Sequence, residues 1–248
     1  MTQTETVIKT EKLTKQFGNF IATNEITFEV YRGEIFGFLG ANGAGKTTAM
    51  RMLCGLSRPS SGKATVAGFD VYRQTEQIKQ HIGYMSQKFS LYEDLTVREN
   101  IRFFGGIYGL NSQQLRSKSD ALIETLGLQS EAKKLVADLP LGWKQKLAFS
   151  VAILHEPDIV FLDEPTGGVD PVTRRQFWAM IYDAASRGIT IFVTTHYMDE
   201  AEYCNRISIM VDGRIEAIGT PAHLKTELKE PSMDGVFYQL ARGAKRGD

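Results

Sequence analysis

The stretch GANGAGKTT at positions 40–48 matches Gly-x-x-x-x-Gly-Lys-Thr and lies between a predicted buried strand and a predicted helix. Glycines let the backbone curl so that several N–H groups point at phosphate oxygens, and the helix N-terminus adds partial positive charge. A lysine reaches the outer phosphates of a nucleotide, and a threonine hydroxyl can ligate Mg²⁺. The residues predicted to bind phosphate are Gly40, Asn42, Gly43, Ala44, Gly45, Lys46, Thr47 and Thr48. The alternative is a glycine-rich turn beside a surface lysine.

Two carboxylates and a histidine stand at the ends of predicted strands. Asp163 and Glu164 end the apolar run IVFLDE, and His196 ends TIFVTTH. The carboxyl ends of parallel strands face the ligand crevice of an α/β sheet. We therefore predict that Asp163 contacts Mg²⁺, that Glu164 is the base or water-orienting residue for attack on a γ-phosphate, and that His196 faces that phosphate. The alternatives are two solvated charges before the turn at Pro165, and a packed or capping histidine.

Strand and helix patterns along the chain predict one α/β domain over residues 1–248. TVIKTEKL and FIATNEITFEV alternate as half-buried antiparallel strands, whereas GEIFGFLG and DIVFLDEP are buried apolar runs. Helical spacing over about 90–155 predicts a helical insert, and short helices over about 221–248 form a tail. Between them, strands alternate with helices, which predicts a parallel sheet. The predicted fold class is α/β, a P-loop NTPase with a mainly parallel core sheet, an N-terminal antiparallel β-subdomain and an inserted α-helical subdomain.

Composition argues against several classes of protein. Lys plus Arg and Asp plus Glu number 29 each among 248 residues, so no net charge favours a nucleic-acid partner. Two cysteines, Cys54 and Cys204, are too few for a disulfide framework and suit a reducing compartment. No run approaches the ~18 apolar residues needed to cross a bilayer. We therefore expect a soluble chain, and at a membrane a partner would supply the spanning part.

Taken in order, GANGAGKTT, YMSQ, LPLGWKQK at 139–146, IVFLDEPTGGVDP and TTHYMDEA resemble the nucleotide-binding domain of ATP-binding cassette (ABC) transporters, over about residues 5–240. The resemblance implies an ATPase that uses ATP and Mg²⁺. It implies a catalytic set of Gln87, Glu164 and His196. It also implies metal contacts at Thr47, Gln87 and Asp163, with Gln87 touching the metal or the attacking water.

The resemblance further implies a place for adenine and a second copy of such a domain. Phe17 in KQFGNF matches an aromatic residue that stacks on adenine in the family, and core packing is the alternative. Two domains would form a head-to-tail dimer with two shared ATP sites. Asp170 in GGVDP matches the loop that crosses the dimer interface.

The segment 139–146 departs from the family, which usually has Leu-Ser-Gly-Gly-Gln there. Gly142 matches, whereas Pro140, Leu141 and Trp143 do not. Proline offers neither a hydroxyl nor an N–H, but the helix dipole and the N–H groups of Leu141 and Gly142 remain. We expect Gly142 to close over the γ-phosphate of the partner's ATP with backbone donors only. Proline is also favoured at helix starts, and both interpretations can hold at once.

The chain looks most like ATPase subunits of bacterial exporters that move drugs, sodium ions, antibiotics or polysaccharides. This implies a cytoplasmic chain that is peripheral on the inner face of the cell membrane. Phe89, Leu91 and Tyr92 follow Gln87 and are candidates for contact with an integral membrane subunit, with ordinary burial as the alternative. Two other functions stay open: a non-transport ABC ATPase acting on ribosomes or DNA, and a regulatory ATP-binding domain with weak hydrolysis. A single P-loop without a heptad run argues against the first, and the complete catalytic set against the second.

Overall fold

Two β-sheets hold the strands of the chain in the computed structural model, which describes residues 5–87 and 91–243. The strands are β1 Thr6–Phe17, β2 Phe20–Tyr31, β3 Ile35–Leu39, β4 Ser61–Val66, β5 Phe69–Asp70, β6 Ile82–Met85, β7 Ile159–Asp163, β8 Thr190–Thr195, β9 Arg206–Val211 and β10 Arg214–Gly219. The α-helices are α1 Lys46–Leu53, α2 Thr75–His81, α3 Val97–Ile107, α4 Ser112–Thr125, α5 Leu141–Ala152, α6 Pro171–Ser186, α7 Pro221–Glu227 and α8 Met233–Gly243. Short 3-10 helices span Val136–Asp138 and Met198–Tyr203.

The N-terminal sheet has the strand order β2-β1-β4-β5 and is antiparallel, as the sequence predicts. Buried and exposed positions alternate along β1 and β2, so that one face carries apolar side chains such as Ile8 and Phe28. This face joins Phe36, Phe38 and Phe192 of the larger sheet in one hydrophobic cluster. The Phe28 ring stacks on the Phe36 ring with centroids 5.7 Å apart. The N-terminal sheet therefore covers one face of the core sheet.

The core sheet has the order β10-β9-β3-β8-β7-β6, in which every neighbouring pair except β10–β9 is parallel. β3, β7 and β8 are buried along their whole length because both faces of the sheet are covered. This confirms the predicted mainly parallel core. Leu39 pairs with Thr195, and Asp163 pairs with Thr194. The carboxyl ends of β3, β7 and β8 therefore lie side by side, and the segments that follow them meet at one edge.

The helices between residues 97 and 152 start at well-defined caps. The Thr96 side chain accepts a hydrogen bond from the backbone N–H of Glu99, and Asn111 caps α4 in the same manner. α5 begins after Pro140, without a side-chain cap. Their apolar side chains pack in one cluster with α6 and the second face of the core sheet. The region predicted as a helical insert does contain α3, α4 and α5, and its bounds as a subdomain remain a prediction.

Among the α-helices and strands, α2 and β6 are not predicted by the sequence pattern. α2 buries only Ile78, so it shows no apolar repeat. β6 is four residues long and pairs with β7 through Gly83 and Val160. A Cβ at Gly83 would lie 2.0 Å from the Ala152 oxygen, which shows how closely the end of α5 packs on this strand. β6 matters for the site because Gln87 follows its last residue by two positions.

Among the described residues, none of the helices has both the length and the apolar character that a bilayer crossing requires. The segment YMDEAEYC contains the 3-10 helix Met198–Tyr203. Asp212 and Gly213 form the turn of an antiparallel hairpin between β9 and β10.

Candidate nucleotide site

The glycine-rich loop connects β3 to α1, and its glycines are required by the fold itself. Gly45 adopts a φ of 102°, in the left-handed region that favours glycine. A Cβ at Gly45 would lie 2.2 Å from the Ala22 oxygen, and one at Gly40 would lie 2.5 Å from the Met210 oxygen. The loop is thus pressed between β2 and β9, which fixes its curl. Since α1 begins at Lys46, the loop also presents the first N–H groups of a helix.

Lys46 is buried at the floor of this loop, with 4% of its side chain exposed. Its Nζ donates to the Gly40 oxygen at 2.7 Å and to the Ala41 oxygen at 3.1 Å, and lies 3.3 Å from Glu164 Oε1. Burial lowers the pKa of Lys46, and the nearby carboxylates of Glu164 and Asp163 oppose that shift. The ammonium group therefore bridges the loop and the ends of the core strands.

Asp163 and Thr47 form an oxygen-rich corner beside the lysine. Asp163 Oδ1 accepts from Thr47 Oγ1 at 3.1 Å and from Thr194 Oγ1 at 2.7 Å. Burial raises the pKa of Asp163, and these two hydrogen bonds act in the opposite direction. A hydroxyl and a carboxylate are hard oxygen ligands of the kind that Mg²⁺ prefers. The described residues contain no cluster of three or more His, Cys, Asp or Glu that could hold a metal alone. This donor set fits a Mg²⁺ ion that also takes phosphate and water ligands.

The remaining candidate side chains lie around the carboxylate of Glu164. Its Oε2 accepts from Gln87 Nε2 at 2.9 Å and lies 2.9 Å from His196 Nδ1, while its Oε1 faces Lys46. Only 8% of the Glu164 side chain is exposed. Its φ of 49° lies in the left-handed region, which is uncommon for a residue with a side chain and recurs at functional sites. The structure thus brings Gln87, Glu164 and His196 together, although 77 residues separate the first two. Their catalytic roles remain predictions.

A cavity of about 400 Å³ opens above these groups and is lined by Phe20, Ala22, Asn42, Gly43, Gly45, Lys46, Thr47, Thr48, Gln87 and Glu164. Phe17, the residue predicted to stack on adenine, is not among those lining side chains. It is 55% exposed, so it does not pack in the core either, and it pairs with Phe20 across the turn between β1 and β2. Phe20 is the candidate that sequence reasoning missed. Its place three residues after Phe17, across a tight turn, is the signal that could have found it.

Gly142 and Asp170 line a second cavity, of about 510 Å³, beside the start of α5. Its other lining residues are Pro140, Leu141, Trp143, Lys146, Gly168, Val169, Thr173 and Gln176. Asp170 caps α6: its Oδ1 accepts from the N–H groups of Val172 and Thr173, and its Oδ2 accepts from Thr173 Oγ1 at 2.5 Å. The two cavities share none of these lining residues. The structure therefore separates Gly142 and Asp170 from the phosphate-binding loop of the same chain.

The residues predicted to contact a membrane subunit are placed differently from one another. Leu91 is buried, whereas Tyr92 is 47% exposed and its ring packs against Phe103 with centroids 4.8 Å apart. Phe89 lies outside the described residues. Burial accounts for Leu91, and Tyr92 remains a candidate for contact.

Comparison with known proteins places these motifs among transport ATPases. A family model described as "ABC transporter" matches residues 23–167, more than half of the chain. A relative from Escherichia coli, "Probable multidrug ABC transporter ATP-binding protein YbhF", is 52% identical over 241 residues, which are 95% of this chain and 42% of the relative. The linearmycin resistance ATP-binding protein LnrL of Bacillus subtilis is 35% identical, over 90% of this chain and 72% of its own. The chain thus spans about two fifths of the length of YbhF.

Solved structures agree with the fold. A structure titled "Structure of ATP binding subunit of ABC transporter" superposes with a TM-score of 0.85 at 27% identity, covering 94% of this chain and 99% of that one. CbiO1 from Clostridium perfringens, titled part of the ABC transporter complex cbiONQ, gives 0.80 at 26% identity, covering 90% and 92%. The fold class predicted from the sequence is confirmed by these superpositions.

Proposed function

We propose that this chain, which belongs to the ABC transporter family as an ATP-binding domain, binds ATP with Mg²⁺ and hydrolyses it to power export through a separate membrane subunit. The family hydrolyses ATP to drive transport. The observation that carries this proposal is the convergence of Lys46, Gln87 and His196 on the carboxylate of Glu164. A domain that binds ATP without hydrolysing it does not need these three side chains arranged around Glu164, the carboxylate next to Asp163.

Binding rests on the loop and on the residues at its two ends. The first N–H groups of α1 and the ammonium of Lys46 offer donors to phosphate oxygens. Thr47, Asp163 and Gln87 would hold Mg²⁺, which neutralises phosphate charge when it is bound. Phe20 lines the cavity and is exposed, so its aromatic face can stack on a base. Phe17 pairs with it across the turn between β1 and β2. Both ends of a nucleotide therefore have a matching partner.

Hydrolysis needs a group that takes a proton from water, and we assign this role to Glu164. Its carboxylate lines the cavity, and its left-handed backbone is held by the N–H of Glu164 donating to the Thr194 oxygen at 3.1 Å. Gln87 and His196 contact the same Oε2 and so fix the orientation of the carboxylate. In this scheme Glu164 accepts the proton, while His196 and Gln87 position the water and the γ-phosphate.

A second cassette is proposed because the chain divides its candidate residues between two cavities. In a head-to-tail dimer, the α5 cavity with Gly142 and Asp170 would face the phosphates bound by the partner. Two sites shared in this manner couple ATP binding to closure of the dimer. That Asp170 already caps α6 means that its carboxylate holds the interface loop in place before any closure.

Export through a membrane subunit is the finer part of the proposal. The relatives are named for a multidrug ABC transporter, for Nod factor export and for linearmycin resistance. The exposed ring of Tyr92, packed on Phe103 just after the Gln87 segment, offers the membrane partner an aromatic surface. We propose accordingly that the chain works in the cytoplasm, peripheral on the inner face of the cell membrane.

The test is Glu164→Gln, measured as ATP turnover of the purified chain with Mg²⁺. We expect kcat to fall by about 10²-fold or more, as for loss of a general base, while ATP still binds. Glu156→Gln is the matched control, because Glu156 also has a left-handed backbone but pairs with Lys118, away from the cavity. Undiminished turnover in Glu164→Gln would show that another residue is the base. A wild-type chain that binds ATP without turnover would favour the regulatory alternative.

A further inference from the structure

The loop that follows Glu164 is held by two buried polar side chains that lie outside the nucleotide cavity. The loop turns back on itself, with the N–H of Gly167 donating to the Glu164 oxygen at 3.2 Å. From one side, Gln145 Nε2 of α5 donates to the Gly167 oxygen at 3.3 Å. From the other side, Thr166 Oγ1 donates to Glu200 Oε1 at 2.5 Å. The position of Glu164 thus depends on contacts made two and three residues later.

Glu200 is an unusual residue to find at full burial. It has no exposed surface, and Thr166 is 1% exposed. A buried carboxylate is costly unless hydrogen bonds and charges surround it. Trp178 Nε1 donates to the same Oε1 at 3.4 Å, whereas Oε2 has no hydrogen-bond partner within the described part of the chain. Because Oε2 has no donor among the described residues, stability alone is a weak reason for a glutamate here.

Glu200 also lies in the segment that follows His196. It belongs to the 3-10 helix that starts two residues after His196. Arg174, in the first turns of α6, has its Nε 3.7 Å from Glu200 Oε1 and its guanidinium 4.3 Å from the centre of the Tyr197 ring. The Tyr197 ring in turn lies 4.2 Å from the His196 ring. Three segments therefore meet at one carboxylate: the loop after Glu164, the segment after His196, and the helix that Asp170 caps.

We propose that Glu200, through Thr166 and Arg174, is a positioning residue that sets the relation between Glu164 and His196. It does not line the nucleotide cavity, so it acts through its neighbours. The hydrogen bond from Thr166 fixes the loop, and the arginine fixes the ring that contacts the histidine. This inference rests on the proposed ATPase function, because it concerns the geometry of that reaction.

The experiment removes the Thr166 hydroxyl without changing the volume of the side chain. In Thr166→Val, kcat for ATP should fall by about tenfold, the scale of a lost hydrogen bond to a charged group, while KM stays within about twofold. Thr166→Ser keeps the hydroxyl and should restore kcat to within about threefold of wild type. Thr10→Val is the matched control, since Thr10 is an equally buried hydroxyl that bonds Phe28 in the N-terminal sheet. It should leave kcat unchanged.

The outcomes separate this proposal from the ATPase proposal. Glu164→Gln is assayed in the same series: if it keeps full turnover, the proposed function fails, whatever the Thr166 variants do. If Glu164→Gln loses turnover and Thr166→Val does not, the positioning role alone is overturned. Equal losses of kcat in Thr166→Val and Thr10→Val would also overturn it, because the effect would then be general destabilisation. If Thr166→Val does not fold, Glu200→Gln decides, and kcat unchanged there overturns the proposal.

Discussion

The phosphate-binding cavity and the cavity beside the start of α5 differ in where their polar groups come from. In the first, the side chains of Lys46, Asp163 and Glu164 supply charge, and all three are held by contacts within the chain. In the second, Asp170 is engaged as a helix cap and Lys146 donates to Gln176 at 2.8 Å. What remains there is the start of α5, where the N–H groups of Leu141 and Gly142 precede the first intrahelical hydrogen bonds, whereas the N–H of Trp143 donates to the Pro140 oxygen at 2.9 Å.

Within the segment that starts α5, residues differ in how tightly the fold packs around them. Pro140 and Leu141, the positions that depart from the family, are exposed. Gly142, which matches, is confined: a Cβ there would lie 2.7 Å from Thr173 Cγ2. Gly45 in the first cavity is confined in the same way by the Ala22 oxygen. A retained glycine is therefore explained by packing as well as by a ligand, and experiments must separate the two.

The largest expected effect in the second cavity comes from Gly142→Asp. A carboxylate at the start of α5 would stabilise the helix dipole but repel a phosphate approaching from a partner domain. We expect ATP turnover to fall by about 10²-fold in the assembled dimer, comparable to loss of one transition-state donor. Turnover is measured under conditions where the wild type dimerises. Undiminished activity would show that this cavity does not close over phosphate.

The steric part of that change needs its own control. Thr173→Ser removes the Cγ2 that a Cβ at position 142 would strike, while its hydroxyl can still bond Asp170. In that background, Gly142→Ala should recover the thermal stability that Gly142→Ala loses alone. Gly142→Asp should remain inactive in the same background. Recovery of activity together with stability would assign the glycine to packing.

Phe20→Ala tests the first cavity, with a smaller expected effect. Stacking of a base on an aromatic ring is worth about 1–3 kcal/mol, so KM for ATP should rise by about tenfold. Phe17→Ala is the matched variant, and since Phe17 does not line the cavity we expect a change of about threefold or less. Binding of inorganic triphosphate, which has no base, should be unchanged in both. A larger rise of KM in Phe17→Ala than in Phe20→Ala would show that Phe17, the residue that matches the family, stacks on the base.

The pattern of apolar and polar residues predicted those elements whose structure is determined by residues close together in the sequence. Buried apolar runs predicted β3 and β7, and their carboxyl ends predicted where Asp163 and Glu164 would stand. α2 and β6 were missed because one buried residue or four strand residues leave no period to detect. The hydrogen bond between Thr166 and Glu200 joins side chains 34 residues apart, and the residue spacing within either segment does not predict it. Phe20 was missed because the resemblance supplied Phe17 first.

Pro140→Ser is the smallest change and the one that asks whether the second cavity is impaired. Pro140 has φ −56° and ψ 149°, a conformation that serine adopts readily at a helix N-cap. The introduced hydroxyl should stabilise α5 by ~1 kcal/mol, and the loss of proline rigidity should offset ~0.4–1 kcal/mol of this, so Tm should hardly move. If the hydroxyl also reaches the partner's phosphate, kcat should rise by up to about tenfold, the scale of one hydrogen bond to a charged group. The rise belongs in kcat rather than KM, because the contact forms only after the dimer closes. Pro231→Ser, at an exposed position before α8, is the matched control. A fall in kcat would contradict the proposal, since it would mean that the proline itself, and not backbone donors alone, serves closure.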